Sequence, residues 1–349
     1  MSCELCRLQE ATKTNTHYLT DGIIRSCLNY DGSAASKDRE KGLYFDLSND
    51  KALIDFNFQR ATSVSQVEEA LGREPNEEEI EAATQIPFSV DYVFCPACEA
   101  IFTTIESEFA AKVLPQLRGA NLQNVDRVRI EDSQLARLFF YLQVWRSAVS
   151  TEHVKLSPAT AEALRQLILH HADADPAALR SFPLVVTYLE TLSAYEYTTN
   201  LVGYDYSAEP AIILMNDFII QFYESEESAK WSDYFGLYDA ANFQDFVNYH
   251  EDIFSVRVLH EPQRKAFIHS LREERKQGQM LDEIRFMFSE SWKKATGYAP
   301  DDQLQQAFIQ KLVLSDAPIG VKYARSTVIH AIIEFVKEYF ESGAGRGNR

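Results

Sequence analysis

The stretch Val90-Asp91-Tyr92-Val93-Phe94-Cys95-Pro96-Ala97-Cys98-Glu99 decides how this chain is read. Val90 to Phe94 has the apolar and aromatic character of a strand, and it runs directly into a C-x2-C turn. Beyond the turn, Ile101, Ile105, Phe109, Val113 and Leu117 recur every four residues, which is the spacing of one helix face. Pro115 and Gly119 help to end that helix. A second C-x2-C, Cys3-Glu4-Leu5-Cys6, opens the chain, with 88 residues between Cys6 and Cys95. A C-x2-C turn presents two sulfurs to one metal. Two such turns make the closed four-thiolate set that Zn2+ takes in structural sites. Shared zinc is therefore the expectation for Cys3, Cys6, Cys95 and Cys98. The rival is redox chemistry: a strand, Cys95-Pro96-Ala97-Cys98 and a helix is also how a thioredoxin-like site looks, with the helix N-terminus favouring the Cys95 thiolate. That alternative leaves Cys3 and Cys6 without a role. The fifth cysteine, Cys27, falls on an apolar helical face and reads as a buried thiol.

The 349 residues are 46% hydrophobic and 25% charged, so the chain is globular and not a disordered one. No apolar run reaches the roughly 18 residues of a membrane span. The first residues carry neither a basic start nor an apolar h-region, so no secretion signal, no membrane and a cytoplasmic location are expected. The formal net charge is −18. Residues 1–118 hold 11 basic and 20 acidic residues, leaving 23 and 32 for the remainder, so each part carries −9. Nucleic-acid affinity depends on neutralising phosphates. Bulk charge therefore gives none here, and contact with nucleic acid would need a local basic groove or a protein partner.

Working outward, Thr20 to Leu28 reads as a short helix, and Leu43 to Leu47 as a strand. Ala52, Ile54, Phe56 and Phe58 alternate with polar residues, and this second strand can pair with the first as a hairpin. Residues 60–86 read as an acidic helical insertion. Its Leu71-Gly72-Arg73-Glu74-Pro75 resembles the helix-turn of sigma-factor-like DNA readers over about a dozen residues. Six glutamates against the single Arg73 between Glu68 and Ile80 favour a solvated insertion instead. Asn76 and Glu79 have capping-box spacing. Residues 133–150 and 157–172 read as helices, the second with Ser157 as cap and Pro158 in its first turn. Residues 182–189 and 211–222 are short apolar runs, compatible with buried strands. Residues 239–297 and 302–341 read mostly as amphipathic helix. A boundary is expected near Arg118-Gly119-Ala120-Asn121.

Eleven residues after Cys6 stands His17, in Asn15-Thr16-His17-Tyr18-Leu19-Thr20-Asp21. With the cysteine turns, Thr16-His17, Cys98-Glu99, Glu106, Trp145-Arg146-Ser147-Ala148 and Ala163-Leu164-Arg165, the chain resembles the HNH (ββα-metal) nucleases. Specifically, it resembles a prokaryotic group with paired C-x2-C motifs, many of whose members look like parts of antiviral defence systems. The resemblance spans roughly residues 1–170. It implies an α+β, mainly helical fold: a zinc-stapled HNH-like module over residues 1–118, then a larger, mostly α-helical C-terminal domain over 119–349. It also implies an endonuclease in which His17 is the general base and Mg2+ or Mn2+ assists. Asp21, Glu99 and Glu106 are candidates for a second metal or for supporting His17. His17 equally suits a packing role beside the knuckle. A non-catalytic interaction component and a C-x2-C thiol oxidoreductase are the two other functions expected of such a chain. Trp145 is expected to pack in the core, with Arg146 paired to a buried carboxylate. His170-His171 and His250-Glu251-Asp252 are weaker polar candidates.

Overall fold

A computed structural model describes residues 1–28, 44–46, 56–57, 64–84, 88–191, 201–205, 209–231, 243–315, 323 and 325–341. The contacts divide the chain into two compact units, Met1–His269 and Ser270–Arg349. In chain order the first unit contains β1 (Thr16–His17), α1 (Asp21–Leu28), β2 (Tyr44–Asp46), β3 (Phe56–Asn57), α2 (Val64–Leu71), α3 (Glu77–Thr84), β4 (Ser89–Val90) and α4 (Pro96–Lys112). Then follow β5 (Arg127–Ile130), α5 (Ser133–Ser150), α6 (Pro158–Leu169), β6 (Leu184–Leu189), β7 (Leu201–Asp205), β8 (Ala211–Met215), β9 (Phe218–Phe222), α7 (Glu226–Trp231) and β10 (Phe254–Leu259). Helix α8 (Glu261–Thr296) begins in the first unit and continues into the second, which also holds α9 (Asp302–Val313) and α10 (Arg325–Glu341).

The main sheet has the order β3-β2-β7-β8-β9-β6-β10-β5. Its pairs are antiparallel except β2·β7 and β6·β10, which are parallel. Strands β6, β7, β8 and β9 are buried at every position. That is why 182–189 and 211–222 read as short apolar runs and not as alternating patterns. The run 211–222 is two strands. Asn216-Asp217 forms the turn between them, and Asn216 takes the left-handed conformation (φ 58°) that a tight hairpin requires.

Helix α5 is buried without interruption from Ala136 to Ser147. A helix with no solvated face belongs in the middle of a core. Phe109 of α4 stacks on Phe139 at 3.6 Å, and Phe140 meets Phe218 of β9 and Phe254 of β10. One hydrophobic cluster runs from Cys3, Leu5 and Phe94 through α4, α5 and α6 into β6, β8, β9 and β10. The boundary expected at Arg118-Gly119 therefore falls inside a single core. Gly119 does end the helical stretch, with φ 75°. Arg118, however, donates from Nε to Asp217 Oδ2 at 2.6 Å and from a terminal nitrogen to the Ile23 carbonyl at 2.8 Å.

Among the described residues, 119–349 and 239–297 are mostly helix, yet both hold strands that the periodicity does not mark: 119–349 carries β5 to β10, and β10 lies ahead of α8 and pairs with both β5 and β6. Buried strands carry no period of their own, so hydrophobicity alone cannot separate them from helix. The expected helices 157–172 and 60–86 stand as α6, with the Ser157 side chain accepting from Thr160 N–H, and as α2 and α3. The Asn76–Glu79 capping box closes with both bonds at 2.8 Å. Strands β2 and β3 pair antiparallel as expected. The residues joining them, most of the strand read at 52–58, and the Cys27 thiol lie outside the described residues.

The second unit is a helical bundle. Phe288 stacks on Phe308 at 4.5 Å and meets Phe335 edge-on, with Trp292, Ile284, Leu312, Val328 and Ile332 buried around them. Gly297 ends α8 with φ 81°, and Asp301 caps α9 through Leu304 N–H at 2.8 Å.

Candidate metal centre and the strand beside it

The first cysteine turn is set by its own backbone. Cys3 N–H donates to the Gln9 carbonyl and Arg7 N–H to the Cys3 carbonyl, both at 2.8 Å, with Arg7 in the left-handed region (φ 58°). In the second turn Cys95 caps α4, Pro96 fills its first position and Glu99 N–H donates to the Cys95 carbonyl at 3.0 Å. The two turns are laced together. Glu4 N–H donates to the Val93 carbonyl at 3.1 Å, Lys13 N–H to Phe94 at 3.0 Å, and Tyr92 N–H to Lys13 at 2.7 Å. Behind them Phe94 packs edge-on against Phe102 and tilted against Trp145.

This brings Cys3, Cys6, Cys95 and Cys98 together, with all four sulfurs within 4.8 Å of one another and Cys6 Sγ to Cys95 Sγ at 3.9 Å. Four Zn–S bonds of about 2.3 Å in a tetrahedron place sulfurs roughly 3.8 Å apart, so the donor set fits a tetrahedral thiophilic ion. The thiols feel opposing forces. Burial resists ionisation of Cys6, but the N–H groups of Leu8 and Gln9, together with hydrogen bonds from the Cys98 and Cys3 thiols, outweigh it and pull this thiol down to about 6. Burial pushes Cys95 up. Burial also pushes Cys98 up, and the crowding of the other three thiols adds to it. A divalent cation inverts this balance, because coordination deprotonates a thiol outright.

Helix α6 braces the first turn from outside. Arg165 donates to the Leu5 carbonyl and to Glu162 at 2.7 Å, and Glu162 also pairs with Arg7 at 3.0 Å.

His17 lies on β1, which pairs antiparallel with β4 (Thr16 opposite Val90, His17 opposite Ser89). From β4 the chain passes through the second cysteine turn into α4. Asp21, the first residue of α1, sits 3.8 Å from His17 Nε2, and the two side chains are 23% and 29% exposed. Glu99 and Glu106 of α4 hold the residues around His17. Thr16 Oγ1 donates to Glu99 Oε2 at 2.6 Å, and Thr20 Oγ1 to Glu106 Oε1 at 2.7 Å. Glu106 also receives Arg146 at 2.6 Å, so the expected carboxylate partner of Arg146 is found, and the Trp145 ring is buried. Among the described residues, the only set of three or more His, Cys, Asp or Glu donors close enough to share an ion is the four cysteines. His17, Asp21, Glu99 and Glu106 do not converge in that way.

The weaker candidates scatter. His170 closes α6, with its N–H donating to the Gln166 carbonyl. Asp252 pairs with Arg180, while His250 is exposed with its ring tilted against Tyr249.

A buried polar network at one end of the sheet has no counterpart in the sequence analysis. Asp217 accepts from Arg118, and Arg264 donates to the Leu189 carbonyl at 2.8 Å and to Asn216 Oδ1 at 2.9 Å. At the carboxyl ends of the parallel strands β6 and β10, Glu190 Oε2 meets His260 Nδ1 at 2.8 Å. These partners stand 48 to 99 residues apart, so no local pattern marks them. No helix of the described residues is long and apolar enough to cross a membrane. Comparison of the chain with protein-family models, with curated proteins and with solved structures finds no match.

Proposed function

We propose that this chain is an HNH-like, zinc-stapled protein that hydrolyses phosphodiesters, acting with a protein partner in prokaryotic antiviral defence. One observation carries the reading: a two-stranded β1–β4 pair leads through a four-sulfur centre into α4, with His17 on β1. That is the strand–strand–helix order of the ββα-metal nucleases. Zinc in the four-cysteine site is structural, because all four tetrahedral positions are filled by protein sulfur and none is left for substrate.

In this mechanism neutral His17 accepts a proton from water as the water oxygen attacks phosphorus. The P–O bond to the leaving sugar oxygen breaks, and that oxygen takes a proton from solvent. Asp21, 3.8 Å from His17 Nε2, orients the ring. The residues around His17 do not by themselves build a cage for Mg2+. That cation commonly binds through one or two carboxylates plus substrate phosphate; Asp21 would be the protein carboxylate to hold it, and Mg2+ or Mn2+ would supply charge stabilisation at the phosphoryl and leaving oxygens.

Incubating the purified chain with supercoiled plasmid and Mg2+ or Mn2+ tests the reading. Nicking by the wild type is expected, with His17→Ala slower by about 10²- to 10⁴-fold, the usual worth of a general base. No nicking by the wild type with its partner present, or equal nicking by His17→Ala, removes it.

A second reading, a non-catalytic interaction component, draws on the engagement of Glu99 and Glu106 in holding β1, which leaves fewer acidic groups for an ion. Metal analysis addresses the third, a thiol oxidoreductase: one tightly held zinc per chain excludes free redox pairs.

A further inference from the structure

The segment that carries His17 is gripped from the protein interior at every second residue. At Thr16 the grip is Glu99. At Tyr18 it is the backbone: the carbonyl accepts from Arg146 Nε at 3.1 Å, and the N–H donates to the Phe88 carbonyl at 2.8 Å. At Thr20 three groups converge. Its N–H donates to Gln143 Oε1 at 3.1 Å, its hydroxyl donates to Glu106, and Arg146 donates to that hydroxyl at 3.2 Å. Arg146 also donates to Gln143 Oε1 at 3.3 Å. A single guanidinium, with a side chain only 3% exposed, therefore touches the segment at 18 and 20 and both of the side chains that hold Thr20. His17 and Asp21, by contrast, remain partly exposed.

We propose that Arg146 is a positioning residue: through Tyr18, Thr20, Gln143 and Glu106 it fixes the backbone that presents the His17 imidazole. The inference rests on the reading of His17 as the base. Its physical basis is geometric. Arginine has five donors in a rigid planar fork, and here one nitrogen serves the Tyr18 carbonyl while another serves the Thr20–Gln143–Glu106 cluster. Lysine keeps the positive charge for Glu106 but is a single point donor on a flexible stem. It cannot hold both ends of the segment in one orientation. Arg146 makes no claim on substrate, because α5 buries it beneath the strand.

The test compares wild type, Arg146→Lys and Thr20→Ala as full chains. Arg146→Lys retains the charge pair, and Thr20→Ala leaves the Arg146–Glu106 pair and the Arg146–Tyr18 bond intact while removing only the Thr20 hydroxyl link, so at least one of them is expected to fold. Metal content and cooperative thermal unfolding establish that. Two readouts then follow: plasmid nicking resolved into kcat and KM, and the imidazole NMR signal of His17, assigned by its disappearance in His17→Gln.

For Arg146→Lys the expectation is a loss of kcat of about 10²-fold with KM little changed, the scale of a misplaced catalytic group. The His17 signal should shift or split while those of the other seven histidines hold. Thr20→Ala should do the same more weakly. If Arg146→Lys leaves both kcat and the His17 signal as in wild type, the inference is overturned and the nuclease reading stands. If the wild type does not cleave but the His17 signal moves in Arg146→Lys, the nuclease reading fails and the positioning role stands on the spectroscopy.

Discussion

The cysteine module and the central sheet belong to one unit, yet they are held together by different physics. Around the cysteine turns, short β1 and β4, each of two residues, bury little apolar surface of their own. Order there comes from the four sulfurs, from backbone bonds between the turns, and from arginines reaching in from α5 and α6. Around β6, β8 and β9 order comes from apolar area: every residue of those strands is buried, alternate positions in the cluster that holds α5, and Val185 on the other face with Tyr223, Ala229 and Phe246. The first region should thus depend on a few discrete groups, and the second on many interchangeable ones.

The largest way to break this comparison is to remove the metal. A structural zinc site supplies on the order of 10–16 kcal/mol in small modules. Cys95→Ser, or a strong chelator, should release zinc and expose the segment before Phe94 to limited proteolysis. The sheet amides should retain their hydrogen-exchange protection. Uniform loss of protection across β6, β8 and β9 would show that the two regions are one cooperative body.

Next in size is a cavity in the sheet region. Phe140→Ala removes a ring that packs on Phe109, Phe218 and Phe254, and should cost about 3–5 kcal/mol in urea unfolding. Zinc stoichiometry should stay at that of the wild type.

The smallest effect sharpens the contrast. Asp217→Asn keeps the size of the side chain that accepts from both Arg118 and Arg264 but discards its charge. About 2 kcal/mol is expected, the scale of a hydrogen bond to a charged group. An unchanged midpoint in urea would mean that the Arg118 junction contributes little to joining the module to the sheet.

Legibility in the sequence divided along the same line. The four cysteines were readable because metal ligation needs specific atoms at short spacing, and C-x2-C carries that spacing within each turn. The helices 96–112, 133–150 and 158–169 were readable from period, the last with its Ser157-Pro158 cap, and the start of α3 from the Asn76–Glu79 capping box. The strand β10 was not, because it sits between two stretches of helical character and its pairing with β5 and β6 is a long-range event. The domain boundary was misplaced at Arg118-Gly119 for a related reason. A glycine with positive φ ends a helix locally, but it says nothing of whether the next segment joins the same core. Of the groups around His17, the sequence named Asp21, Glu99 and Glu106. It did not disclose that the two glutamates grip Thr16 and Thr20.

What the sequence determined by itself is the chemistry that depends on residue type and near spacing: two sulfur-bearing turns, a histidine between them, capped helices and an acidic surface. What only the tertiary structure decided is which distant groups meet. The four sulfurs close into one centre only because Val93 and Phe94 bond back to the opening turn, and Arg146 reaches Tyr18 from 128 residues away. Short-range pattern follows from backbone periodicity, which any segment carries within itself. Convergence follows from the packing of whole elements into a common core, a property no single segment contains.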